Sequence, residues 1–204
     1  MSEGVLAVQD SDELKETAPH YMPAELRLTY HDYCQIPLGE RDRYEIVEGE
    51  LRQMPPAPSV LHQRVSGRIE KALRQWVEDR DLGEVLDSPI DVVLSEHNVV
   101  QPDILYVSRE RLGIVKKANI WGAPDLVVEI LSPSTAEWDQ VMKRRVYGRY
   151  GVREFWVVDP EGRSIEVAAN NGRELATVQV YSPGTTLVSP LLGSFELEID
   201  GVFR

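Results

Sequence analysis

Two carboxylates set in apolar strands are the starting point for any chemistry in this chain. Glu129 stands in DLVVEILS, residues 125–132, among Leu126, Val127, Val128, Ile130 and Leu131. Strand alternation turns Val127, Glu129 and Leu131 to one face and Leu126, Val128 and Ile130 to the other. A carboxylate on such a strand costs several kcal/mol unless something pairs with it. An arginine would make a structural ion pair. A divalent cation shared with a second carboxylate would neutralise both acids. The second acid is Asp103, directly after a proline in VVQPDILYV, residues 99–107. If the two strands adjoin, Asp103 and Glu129 converge on one ion. Two acids also suit paired-carboxylate glycoside hydrolysis, so the pair alone does not select the reaction.

Other reactive side chains carry less. His62 begins a helix, where it either serves the structure or reaches a metal-bound water or a phosphate. Ser132 and Ser134 invite a nucleophile reading, but no histidine follows them in the chain. Ser134 and Glu137 stand at capping-box spacing, which explains Ser134 better. Trp121, Trp138 and Trp156 read as core or interface residues. The stretch MKRRVYGRYGVR, residues 142–153, holds Lys143, Arg144, Arg145, Arg149 and Arg153 with no acid among them. It is either a local basic surface for nucleic acid or a solvated helix face.

The net charge of −12 excludes a protein that coats nucleic acid through bulk charge. A metal-dependent phosphodiesterase remains open, because it gathers acids at its site. No run reaches the roughly 18 apolar residues of a membrane span, and the N-terminus lacks the pattern of a secretory signal. Cys34 is the only cysteine, so no internal disulfide and no thiolate metal cluster forms. These features predict a cytoplasmic protein.

The elements that must position the acids are legible in outline. Residues 1–25 are acidic and aperiodic, which predicts a mobile arm ahead of one domain over 26–204. Thr29 caps a short helix in LTYHDYCQI, and YEIVEGELRQM reads as two strands about Glu48-Gly49. Leu61, Val65, Ile69, Ala72, Leu73 and Trp76 make one apolar stripe, predicting a helix over 60–81. EVLDSPIDVVLS is strand, turn or bulge at Ser88-Pro89, then strand. VVQPDILYVS reads as one strand with Gln101, Asp103, Leu105 and Val107 on one face, and Pro102 marks an edge or bulge. DLVVEILS follows, then a helix ending at Gly151, the strand REFWVVDP, and a hairpin about Asn171-Gly172. The fold class is α/β, with a mixed sheet covered by helices. No glycine-rich strand-to-helix turn is present, so this is not a dinucleotide-binding fold.

An ordered set of motifs then carries a family resemblance. It consists of YEIVEGEL with a following Met-Pro and His62-Gln63, VVQPDILYV, PDLVVEILSPST, Lys143, Tyr147 and GVREFWVVDP. From about Leu28 to Pro160 the chain resembles the Uma-two family of restriction-endonuclease-like proteins, within the PD-(D/E)XK nuclease superfamily. The resemblance implies a core in αβββαβ order, with an N-terminal helix and hairpin and a C-terminal β extension. It implies that Asp103 and Glu129 bind Mg²⁺ or Mn²⁺, with the Ile130 carbonyl as a further ligand. The lysine of the superfamily pattern would fall at position 131, which is leucine here. Lys143 on the next helix stands where similar proteins carry that lysine, to orient water or offset phosphate charge. The alternative is that Lys143 pairs with Asp139, one helical turn earlier. Glu45 matches a supporting acid of the family pattern, and an exposed hairpin acid is the other reading.

The resulting expectation is a Mg²⁺-dependent endonuclease acting on DNA as a homodimer, with Asp103, Glu129, Lys143, Glu45 and His62 as its site. The rival is a non-catalytic dimeric nucleic-acid-binding or regulatory module on the same fold. A two-carboxylate glycosidase stands behind both, because aromatics to line a sugar cleft are scarce at 7% of residues.

Overall fold

The computed structural model describes residues 27–37, 43–54, 58–132, 138–172 and 174–204. The expected N-terminal arm and the Ser134–Glu137 capping box lie outside them. The long helix α2 (Val60–Asp79; the short α1 is Tyr30–Tyr33) buries Val65, Ile69, Leu73 and Val77. Those residues recur every four positions, so burial of one stripe makes this segment helical in its tertiary setting. Ser59 begins the helix, its Oγ accepting the His62 N–H at 3.1 Å.

Helix α2 packs on a six-stranded mixed sheet built from β3 (Gly83–Asp87), β6 (Ile104–Ser108), β8 (Leu126–Ile130), β9 (Glu154–Asp159), β10 (Ser164–Asn170) and β11 (Leu175–Tyr181). Its order is β11-β10-β9-β8-β6-β3. Strands β8 and β9 are parallel; the other neighbours are antiparallel. Leu126, Val128 and Ile130 join the α2 side of the core, and Val127 and Leu131 join the opposite side. The alternation read from the sequence of β8 therefore holds. The opposite side is covered by α3 (Arg144–Tyr150), through Val146 and Tyr147. A π-helical turn, Asp139–Lys143, leads into α3, and Gly151 ends it with φ of 90°. The parallel β8–β9 pair needs such a crossover, which a tight hairpin cannot supply.

A second sheet has the order β2-β1-β5-β4-β7, from β1 (Tyr44–Val47), β2 (Glu50–Gln53), β4 (Val92–Ser95), β5 (Asn98–Val100) and β7 (Ile120–Trp121). Here one expectation is corrected: VVQPDILYVS is two strands in two sheets. Strand β5 belongs to the second sheet and β6 to the first, and they separate at Gln101-Pro102-Asp103. Pro102 has no N–H for a ladder, and the Gln101 N–H is drawn to Glu45 instead. The chain also changes sheets between β3 and β4, at the cis Ser88-Pro89 bond. The two crossings lie side by side, with Ser88 N–H donating to the Asp103 carbonyl at 3.0 Å. Strands β3, β6 and β8 thus form the expected meander, with β4–β5 an excursion into the other sheet.

The β10–β11 hairpin turns about Asn171-Gly172 as expected, and β12 (Thr186–Val188), β13 (Glu196–Glu198) and α4 (Ile199–Phe203) complete the chain. The tail is latched to the sheet by buried Glu154. Its carboxylate accepts from Trp156 Nε1 (2.6 Å), Ser189 Oγ (2.9 Å) and the Leu191 N–H (2.7 Å). Burial nevertheless holds this carboxyl above the ordinary glutamate range. Among the described residues no helix is long and apolar enough to cross a membrane.

Candidate active site

The register Ile104↔Val128, continued one step, sets Asp103 opposite Glu129 on adjacent strands. Both side chains line one pocket of about 380 Å³, together with His62, Arg43, Ser59 and Ser132. Asp103 is the more open of the two acids. Its Oδ2 accepts the Ile130 N–H at 2.7 Å and lies 3.3 Å from His62 Nε2. Helix α2 presents His62 from its first turn, where the Ser59 cap fixes the backbone. Ile130, expected to offer its carbonyl to a metal, is seen to use its N–H to orient Asp103.

Glu129 is held from behind. Its Oε1 accepts from Tyr147 Oη at 2.6 Å and lies 3.1 Å from Lys143 Nζ. Lys143 Nζ also lies 2.8 Å from Glu45 Oε1, and both of those side chains are excluded from solvent. Glu45 is therefore not an exposed hairpin acid. Its Oε1 also accepts the Gln101 N–H at 2.8 Å, while its Oε2 is buried with no hydrogen-bond partner among the described residues. The Asp139 side chain lies outside the described residues. Lys143 is bound to two glutamates and does not line the pocket.

The five expected residues thus come together, but at two depths. Asp103, Glu129 and His62 face the pocket; Lys143 and Glu45 sit behind Glu129. Reading the sequence missed the part played by Tyr147. Its signal was available, since it stands four residues after Lys143 and so on the same helix face. Gln101 was also missed as a connector. Its Nε2 donates to Asp91 Oδ1 (2.9 Å) and Tyr33 Oη (3.2 Å), and burial followed by the charge of Asp91 pushes the Tyr33 phenol well up.

Two other features resolve into structure. Pro124-Asp125, at the start of PDLVVEILSPST, places Asp125 out of solvent, accepting from the Ser108 N–H (2.8 Å), Arg111 (2.9 Å) and Arg153 (3.3 Å). Burial alone would push its carboxyl up, but the Ser108 amide and Arg111 outweigh that and hold it below the usual range. The basic stretch 142–153 is paired with acids of the same chain. Arg144 pairs with Glu166 (2.6 Å), while Arg145 (2.5 Å) and Arg149 (2.8 Å) share Glu48. Trp156 lies in the core, whereas Trp121 is half exposed against Tyr30, and Trp138 sits under the Arg52 guanidinium.

Among the described residues no group of three His, Cys, Asp or Glu side chains forms a metal cage. The two pocket carboxylates are still suited to a hard cation. Mg²⁺ keeps several waters and is commonly held by one or two carboxylates plus substrate phosphate. Asp103 Oδ1 accepts no hydrogen bond among the described residues, which leaves an oxygen for that purpose.

A mixed sheet between α2 and α3, with paired acids on its central strands, is a restriction-endonuclease-like fold. The profile of the Uma2 family, described as "Putative restriction endonuclease", matches residues 29–200, and the chain belongs to that family. The crystal structure of "a putative nuclease belonging to DUF820" from Anabaena variabilis ATCC 29413 superposes with a TM-score of 0.72 and 21% identity. The match covers 86% of this chain and 97% of that one. At this identity the likeness is one of fold. Curated proteins give no match.

Proposed function

We propose that this protein is a Mg²⁺-dependent endonuclease hydrolysing phosphodiester bonds in DNA, with Mn²⁺ able to replace Mg²⁺. Work in the cytoplasm as a homodimer belongs to the same reading. The observation that carries it is the convergence of Asp103 and Glu129, from adjacent strands, on one pocket. The family description supports it. Asp103 Oδ1 and the Glu129 carboxylate would hold the ion, with the Ile130 carbonyl as a further ligand. When bound, such an ion polarises the phosphate and makes water a better nucleophile.

The chain's own residues prepare that site. Ile130 N–H and His62 orient Asp103. Tyr147 and Lys143 fix Glu129, and Lys143 is itself fixed by Glu45. Lys143 is thereby a positioning residue, acting through Glu129. His62 is on the pocket wall, beside the place where water and phosphate would meet.

The withdrawal of Lys143 from the pocket favours a second reading, a non-catalytic nucleic-acid-binding or regulatory module. The deciding experiment is cleavage of plasmid and single-stranded DNA with Mg²⁺, Mn²⁺ or EDTA, beside Asp103→Ala and Glu129→Ala. Metal-dependent nicking that both substitutions abolish is the expected result. DNA bound but left intact under every metal would sink the nuclease reading in favour of the module.

A further inference from the structure

The pocket contains acids at its rim as well as its floor, and most have a basic side chain beside them. Glu70 and Asp87 share Arg74, at 2.6 Å and 3.5 Å. Asp103 meets His62, and Glu129 meets Lys143. Arg43 is different. Among the described residues it is the one lysine or arginine that lines the pocket, and it makes no ion pair with any of them.

Its guanidinium is held by neutral acceptors. Arg43 Nε donates to Gln101 Oε1 at 3.0 Å, and one Nη2 hydrogen makes a long contact of 3.4 Å with Ser88 Oγ. Of the five guanidinium donors, those on Nη1 have no acceptor among the described residues. The anchors are themselves fixed. Gln101 is tied through its side chain to Tyr33 and Asp91 and through its N–H to Glu45. Ser88 stands at one sheet crossing and Gln101 at the other, so Arg43 spans both crossings. A planar cation, oriented in advance and with no carboxylate partner among the described residues, suits a phosphate, whose paired oxygens accept two parallel N–H bonds.

We propose that Arg43 is the phosphate-binding residue of this pocket, seating a non-bridging oxygen of a nucleic-acid backbone beside Asp103 and Glu129. This rests on the nucleic-acid part of the proposed function and not on cleavage. With Lys143 sequestered behind Glu129, Arg43 supplies the positive charge that a polyanion needs in order to enter an acidic pocket. A purely structural Arg43, stapling β1 to the two crossings, would leave the salt dependence of binding unchanged.

The test is fluorescence anisotropy of a labelled 12-mer DNA duplex in EDTA over a range of KCl, for wild type, Arg43→Gln, Arg43→Lys and Lys71→Gln. Lys71 is exposed on α2, does not line the pocket, and controls for net charge. The expected result is a roughly ten-fold or greater loss for Arg43→Gln, the scale of one charged hydrogen bond. The slope of log affinity against log salt should shrink by about 0.9, one phosphate contact. Arg43→Lys should keep the slope with part of the affinity, and Lys71→Gln should match wild type. In the wild type, the Arg43 Nε–H resonance should move saturably as the duplex is added, which needs no folded variant.

An unmoved resonance, an unchanged slope in Arg43→Gln, an equal loss in Lys71→Gln, or no binding by wild type would each overturn the proposal. Arg43-dependent binding without metal-dependent cleavage would instead uphold the phosphate seat and remove the nuclease reading.

Discussion

Lys143 Nζ lies 3.1 Å from Glu129 Oε1, with both side chains shielded from water. This contact answers why a carboxylate stands in the middle of a buried strand. Its partner is a lysine from the π-helical turn, shared with Glu45 at 2.8 Å, and Tyr147 adds a 2.6 Å bond. The ion pair and the pocket are not alternatives. Glu129 is paired on its inner side and faces the pocket as well, so one residue joins the core to the pocket.

Removing the ammonium leaves two buried carboxylates uncompensated. Lys143→Met should therefore destabilise the fold by about 3–5 kcal/mol, read from urea unfolding. Adding Glu45→Gln and Glu129→Gln to it should recover part of that loss, because the charges then disappear together. A loss under about 1 kcal/mol for the single variant would show that the pairs are weak.

The basic stretch should matter little to nucleic acid. Arg145 and Arg149 share Glu48, and both are half exposed. Arg145→Gln with Arg149→Gln should leave DNA affinity and its salt slope close to wild type. Stability should change by less than about 1 kcal/mol, as for exposed ion pairs generally. A reduced salt slope in anisotropy titrations would mean that these arginines touch phosphate.

Asp125 should govern part of the acid limb of stability. Its folded carboxyl titrates below the unfolded one, held there by the Ser108 amide and Arg111 against the opposing effect of burial. Its contribution is present above the unfolded value, about pH 4, and is lost as pH falls through the lower folded value. Asp125→Asn should be less stable at neutral pH by about 1–3 kcal/mol and flatter below about pH 4. Thermal midpoints between neutral and strongly acidic pH would check this. Parallel curves for the two proteins would exclude the assignment.

Much of the scaffold is written locally. The stripe Val65, Ile69, Leu73 and Val77 makes α2 legible because burying one helix face requires a recurrence of three or four residues. Gly49 and Gly151 mark their turns because each takes a positive φ. Strand alternation correctly assigned the two faces of β8, and the acids Asp103 and Glu129 stood out as polar residues in apolar surroundings. Composition and periodicity go no further, since they describe what one segment buries and not which segment it meets.

Tertiary structure decided the rest. The split of VVQPDILYVS between two sheets depends on Glu45 drawing away the Gln101 N–H at a proline, a contact with a distant strand. The depth of Lys143 depends on the π-helical turn reaching Glu45 on β1 and Glu129 on β8, which its own charge would not suggest. Arg43 carries no signal in the sequence, and only the crossings at Ser88 and Gln101 place it on the pocket wall. By itself the sequence determined the helices, the strand faces and the two acids, because these follow from local periodicity and the cost of a buried charge. Which cation stands behind the acids and which lines the pocket was decided only by long-range packing, because desolvation and pairing depend on neighbours far away along the chain.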